Sequence, residues 1–399
     1  MNVDCDLFIP KVSPNVDFYV FDENQYVAIN SKLGYRTLIN KQLYEFVVLI
    51  DNEKNLNQIV HLYNLKFDTN LEVKDTYDFL HKELLSYGII KIDNVNQEKK
   101  TRDNYLKYSF NILDFRHFYF LVLFFRPLFK IRYFFFIFLS LFLILSITIS
   151  IHFQIIYKYI ADISLINIFY IFILTLIIGF FHEIGHASAA YCYGIRSGGI
   201  GFGFYLLAPV FYADVSDSWS LKAKYRVVID LGGIFLEMLI SLIVIVLFYI
   251  TKNINFLVVP SVLLIHTIFE LNPLIRTDGY WVLSDILNIP NLKKNSQTLF
   301  LSLLSYKNNV IVKFRIKEYS LCIYAFFSYV YVSIFLILML FFSSNSILKY
   351  PKNIFSLFAE LLHHPYNVKF ISAFNLLLPT LFYILFIRNI LLIFKKSKK

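Results

Sequence analysis

His182 and His186 stand four residues apart at the end of an uncharged apolar run that begins at Ile163. On an α-helix, residues at that spacing lie one above the other on one face, so two imidazoles can grip one metal ion. Glu183 projects beside that face, where a carboxylate can take a proton from water activated by the metal. The His-Glu-x-x-His pattern therefore predicts a hydrolytic Zn2+ centre with His182 and His186 as ligands and Glu183 as general base. The alternative is a pair of helix histidines satisfied by polar neighbours, but ionisable groups inside a membrane segment are costly and usually functional. A catalytic zinc typically takes three protein ligands and keeps one position open. A third is sought where another apolar run ends, in Phe269-Glu270-Leu271-Asn272-Pro273-Leu274-Ile275-Arg276-Thr277-Asp278-Gly279-Tyr280. Pro273 interrupts a helix there and Gly279 permits a tight turn, so Asp278 is the predicted third ligand, with His266 as its substitute. Glu237, Glu270 and His266 are further polar groups in apolar runs, and pairing within the bundle suits them better than metal binding.

The elements that must position these residues are transmembrane helices. The chain has 399 residues, of which 57% are hydrophobic and 19% aromatic, more than a soluble domain readily hides from water. Apolar runs long enough to cross a bilayer are read at Tyr133 to Ile151, Ile163 to Phe181, Val227 to Ile250, Ile254 to Leu271, Leu321 to Phe342 and Phe370 to Phe394. The formal charge is +10, but the basic residues cluster beside these runs, which points to membrane flanks and away from nucleic acid. Arg196, Lys222, Lys224, Arg226, Arg276 and the Lys395–Lys399 tail fall on one side, and Lys158, Lys252 and Lys349 on the other. The positive-inside rule then predicts cytoplasmic N- and C-termini and a site at the cytoplasmic end of the second span. Cys5, Cys192 and Cys322 have no CxxC spacing, so neither a disulfide framework nor a thiolate site is indicated.

No signal peptide is read at the start, and residues 1–98 are expected to form a small winged-helix-like cytoplasmic domain. A hairpin is predicted over Asp17 to Ile29, then helices near Lys41 to Ile50, Leu56 to Leu65 and Leu71 to Ser86, with Gly88 as a stop. Residues 99–130 read as a charged linker, Glu98 to Asn104, followed by an aromatic interfacial segment, Phe118 to Ile131. Residues 131–399 form the expected membrane domain, so the fold class is an α-helical polytopic membrane protein of about six transmembrane helices.

The combination of His182-Glu183-x-x-His186 with Asn272-Pro273-Leu274 and Asp278-Gly279-Tyr280 resembles the site-2 protease family of intramembrane zinc metalloproteases, over roughly residues 120 to 395. The resemblance implies zinc held by His182, His186 and Asp278, Glu183 as base, and Asn272 helping to hold substrate. Thr277 stands where better-known members have Leu, and the spacing after Asn272 is shorter. Asp214, Trp219, Arg226 and Gly232-Gly233 look more like the branch that matures ribosomally made peptides. The Gly-rich stretch Ser197 to Asp214 resembles the family's membrane-embedded β-loop, whose strand edge could take up an extended substrate. Leu38-Ile39-Asn40, Tyr44 and Leu84-Leu85-Ser86-Tyr87-Gly88-Ile89-Ile90 resemble PqqD-like domains, which hold leader peptides.

These resemblances imply a membrane-embedded zinc endopeptidase that cleaves a small precursor peptide, with a peptide-modifying enzyme or exporter as further partner. Regulated cleavage of a membrane signalling protein, or a non-catalytic immunity or export accessory, are the competing readings.

Overall fold

The described residues between 8 and 91 alternate short apolar runs with turns, and they close into a small sheet-and-helix domain. The computed structural model describes residues 8–91 except 31 and 34, 107–304 except 206 and 207, 316–338, 349–363, and a few positions between 376 and 387. Strands β1 (Lys11–Val12), β2 (Val16–Val20), β3 (Gln25–Asn30) and β4 (Tyr35–Asn40) lead into helices α1 (Lys41–Val48), α2 (Leu56–Phe67) and α3 (Val73–Phe79). A π-helical turn, Leu80–Leu84, follows α3, and β5 (Ile90–Lys91) returns to pair with β1. The hairpin read from the sequence is β2 and β3, and β4 adds a third antiparallel strand. Asn40 and Asn55 start their helices by accepting the N–H groups of Leu43 and Gln58, as asparagine caps do. Gly88, at φ 65°, ends the helical run in the left-handed conformation that glycine tolerates. Leu56, Ile59, Leu80, Leu84 and Ile90 are buried among the helices and sheet, giving the domain its own core.

The membrane part begins with strand β6 (Lys107–Leu113) and helix α4 (Phe115–Phe125). The sequence reading had placed a linker and an interfacial stretch here; Glu98 to Asn104 lies outside the described residues. β6 forms a sheet edge, and α4, which overlaps the expected interfacial segment, buries Phe115, Phe118 and Val122 in a cluster with Ile184, Ala187 and Leu236 while leaving Phe120 and Phe124 exposed. Helices α5 (Ile131–Ala161) and α6 (Leu165–Cys192) come next, then strands β7 (Ile200–Tyr205) and β8 (Ala208–Ala213). The sheet order is β6-β7-β8, all antiparallel, so β8 is an edge. A 3-10 turn, Ser216–Ser220, leads to α7 (Ala223–Asp230), α8 (Gly232–Thr251), α9 (Asn255–Glu270) and α10 (Asp278–Leu287). The apolar run read as Val227 to Ile250 is thus divided between α7 and α8, at Leu231 ahead of the weakly helix-forming Gly232-Gly233 pair.

Among the described residues, α5, α6 and α8 are long and apolar enough to cross a membrane. Their outward side chains, among them Phe136, Ile151, Ile166 and Phe169, are large, apolar and exposed, as suits a lipid-facing surface. α9 has 16 residues, a rise of about 24 Å against a hydrocarbon core of about 30 Å. The chain divides into two compact units, Met1–Asn288 and Ile289–Lys399. The second contains α11 (Leu292–Leu304), α12 (Ile316–Ile337) and α13 (Tyr350–His363), with Phe300 of α11 packed on Tyr329 of α12. The fifth predicted span falls on α12 and continues outside the described residues, where the sixth lies almost entirely.

Candidate metal centre

The site depends on how closely α6 and α8 approach. A Cβ at Gly185 of α6 would overlap the carbonyl oxygen of Gly232 and stand 2.8 Å from its carbon, so only glycine permits this crossing. Ile184, Ala187, Phe235 and Leu236 are fully buried in the surrounding packing. The crossing turns the inner face of α6, with His182 and His186, onto the start of α8. Asp278 reaches the same point from the first turn of α10. There Gly279 lies so near the Leu271 backbone that a Cβ would overlap it, which seats α10 against the end of α9. Thr277 Oγ1 donates to the Glu270 carbonyl at 2.9 Å, fixing the turn in front of the ligand.

His182 Nε2 and His186 Nε2 are 3.1 Å apart, and Asp278 Oδ2 lies 3.2 Å and 3.3 Å from them. The rings are held from behind. His186 Nδ1 is 2.8 Å from the Ile229 carbonyl oxygen, and His182 Nδ1 is 3.0 Å from Glu237 Oε2. A carbonyl can only accept, so His186 donates from Nδ1 and a neutral ring turns its Nε2 lone pair inward. Ionised Glu237 imposes the same tautomer on His182. Asp278 Oδ2 is buried with no hydrogen-bond partner. Three electron-pair donors thus converge on one point, an arrangement that repels itself unless a cation sits among them. His182, His186 and Asp278 could hold a metal ion.

Gly233 completes the cradle. A Cβ there would overlap the His182 ring and lie 2.5 Å from His186 Nε2, so its missing side chain leaves room for the ligand atoms to converge. Glu237, 1% exposed, also reaches His266 Nδ1 at 3.3 Å, and His266 Nε2 lies 3.4 Å from Glu270 Oε1. Glu270 Oε2 in turn accepts from the Asp278 N–H at 3.4 Å. His266, Glu237 and Glu270 therefore pair with one another, as their intramembrane placement implied, and His266 stands outside the three-ligand group.

A cleft of about 350 Å³ opens beside the ligands, lined by Glu183, by Val210 to Ala213 of β8, and by Trp219. Glu183 shares it with both histidines. Asn272 does not line it; its Oδ1 accepts the Leu274 N–H at 2.9 Å and shapes the α9–α10 turn. Asp230 and Asp285 do line it. Burial pushes the Asp230 carboxyl well above its ordinary pKa, and the neighbouring Asp285 and Asp278 add to the rise. The sequence reading missed Gly233 as a seat, Glu237 as the partner of His182, and Asp230 and Asp285 altogether. A lone acid in an apolar helix was the one available signal for Glu237. In comparisons with protein-family models, curated proteins and solved structures, none matches this chain.

Proposed function

We propose that this chain is an intramembrane zinc metalloprotease of the site-2 protease kind that cleaves a small precursor peptide. The observation that carries the reading is the convergence of His182 Nε2, His186 Nε2 and Asp278 Oδ2 at 3.1 to 3.3 Å beside Glu183 in a cleft. Zinc–ligand bonds of about 2.0–2.2 Å at the tetrahedral angle set neighbouring ligand atoms about 3.3–3.6 Å apart, close to these spacings. A two-histidine, one-carboxylate set suits zinc with an open fourth position. When bound, the metal supplies Lewis acidity, lowering the pKa of water and polarising a scissile carbonyl. Glu183 takes the proton of the attacking water and returns it to the leaving amine.

The position of β8 at the edge of its sheet among the described residues supports an extended substrate, since Val210 to Ala213 border the cleft and a peptide could add there as a strand. The N-terminal domain supports a leader-binding role in the same way. Its edge strand β4 borders a groove of about 560 Å³ with Thr37, Leu38 and Ile39 on one wall and Phe79 and Lys82 on the other. The predicted topology, with six spans and both termini cytoplasmic, would put this groove and the cleft on one side of the membrane.

The test is hydrolysis by the purified full chain in liposomes, with a pool of leader-bearing peptides and ¹⁸O-labelled water. Mass spectrometry should find new C-termini carrying the label, zinc should co-purify, and Glu183→Gln should keep the zinc while losing cleavage by about 10²-fold or more. Label-free peptides, or undiminished cleavage by Glu183→Gln, would remove the assignment.

A further inference from the structure

Arg226 of α7 is the bulkiest fully buried side chain in the described protein, 1% exposed. Its Nε lies 2.9 Å from Asp285 Oδ1, its Nη1 donates to the Leu221 carbonyl at 2.9 Å, and its Nη2 donates to Asn288 Oδ1 at 3.1 Å. Asp285 and Asn288 belong to the helix that carries Asp278. Asp285 lies seven residues on, two turns along the same face, and Asn288 is the left-handed cap that ends the helix. A guanidinium taken out of water must have its charge balanced, so the Asp285 ion pair and the Asn288 hydrogen bond fix α10 against α7 as long as water is kept away.

The lid that keeps water away comes from the N-terminal domain. Phe21, in the turn between β2 and β3, places its ring 4.7 Å from the Arg226 guanidinium carbon and stacks on Trp219 with centroids 5.9 Å apart and planes 17° off parallel. The Phe21 carbonyl also accepts from Asn288 Nδ2 at 3.5 Å. A second contact, independent of Arg226, joins the same two bodies: Arg36 of β4 meets Asp217 at 2.5 Å, in the 3-10 turn that carries Trp219. Trp219 itself lines the cleft.

We propose that the N-terminal domain is a docked clamp on the metal centre, with Phe21 and Arg226 as positioning residues that act through Asp285 and Asn288 to hold Asp278 in place. The inference rests on Asp278 being a metal ligand, as the proposed function has it. The domain is then more than a tether for substrate. With Phe21 lifted, water reaches the guanidinium and competes for Asp285 and Asn288, the far end of α10 loosens, and the carboxylate at its near end loses its register with the two histidines. The histidines keep their own supports, Glu237 and the Ile229 carbonyl, so metal binding weakens without vanishing.

The experiment is a cobalt(II) titration of the full chain in nanodiscs, following affinity and the visible absorption that reports ligand geometry. Phe21→Ala should weaken binding by about threefold, less than the roughly tenfold lost with a group that touches a ligand directly, and alter the spectrum. Phe21→Tyr, which keeps the ring, should behave as wild type. Arg36→Asp should weaken binding through loss of docking alone, and Arg36→Asp combined with Asp217→Arg should restore it, a rescue that misfolding cannot mimic. Wild-type affinity and spectrum in both Phe21→Ala and Arg36→Asp, or no rescue by the charge swap, would overturn the clamp and leave the protease reading intact. A wild-type chain that binds no cobalt or zinc would overturn both.

Discussion

Replacing Gly233 by alanine adds one methyl group at the point where the three donors converge. That Cβ would lie 2.5 Å from His186 Nε2 and closer still to the His182 ring. An unstrained contact needs about 3.5 Å, so each ring must withdraw by about 1 Å or the helices must part. Parting is resisted, because α6 and α8 already touch backbone to backbone at Gly185 and Gly232, with Ile234 and Phe235 fully buried beside them. The rings therefore yield. Metal–ligand distances tolerate about 0.2 Å, a fifth of that displacement, so both histidines lose their grip together. Affinity for zinc should fall by about 100-fold or more, equivalent to about 2.7 kcal/mol.

The assay is the zinc content of the purified chain together with a cobalt(II) titration. Gly179→Ala, on α6, is the control, since a Cβ there meets nothing within 4 Å. A Gly233→Ala protein with unchanged thermal midpoint, unchanged metal affinity and unchanged cobalt spectrum would refute the placement of the ion between these side chains.

Glu237→Gln keeps the shape of the side chain but removes the charge that orients His182, so metal affinity should fall by about 10–100-fold, measured by the same titration. Wild-type affinity would mean that ring packing alone sets the His182 tautomer. Asp230→Asn addresses pH. Because the folded protein holds the Asp230 proton after an unfolded chain has released it near about pH 3.9, wild-type stability declines as pH rises through the window between that value and the raised folded one. The thermal midpoint of metal-free Asp230→Asn should therefore gain on wild type as pH rises above about 4, and a parallel pair of pH profiles would contradict the assignment.

The fold was legible wherever the signal is local. Two apolar runs with a turn between them over Asp17 to Ile29 predict the hairpin, and Gly88 ends the helical run as a left-handed stop. Strand β6 was not legible. Lys107–Leu113 pairs with β7 some ninety residues later, and its partner supplies the reason for it to be extended. The packing of α4 on α6 was similarly silent, because an aromatic helix buried along one face and one lying on a membrane surface share one composition.

The site divides along the same line, and the division explains why the pattern around His182 is informative while its supports are silent. Two candidate ligands four residues apart, with the proposed base directly after the first, are fixed by the geometry of one helix, so spacing alone expresses them. Asp278 comes from a separate element ninety-two residues beyond His186, and what betrayed it was a local irregularity, the Pro273 and Gly279 that bring a short helix back to the histidines. Glu237, Gly233 and the Ile229 carbonyl carry no spacing rule, because their function is defined by which residue of α6 they face once the helices cross at Gly185 and Gly232. That crossing is itself a matter of two missing side chains. A substitution at either glycine would leave every ligand in the sequence and still dismantle the centre, so the motif is necessary for metal binding while the contact between α6 and α8 decides whether its atoms meet.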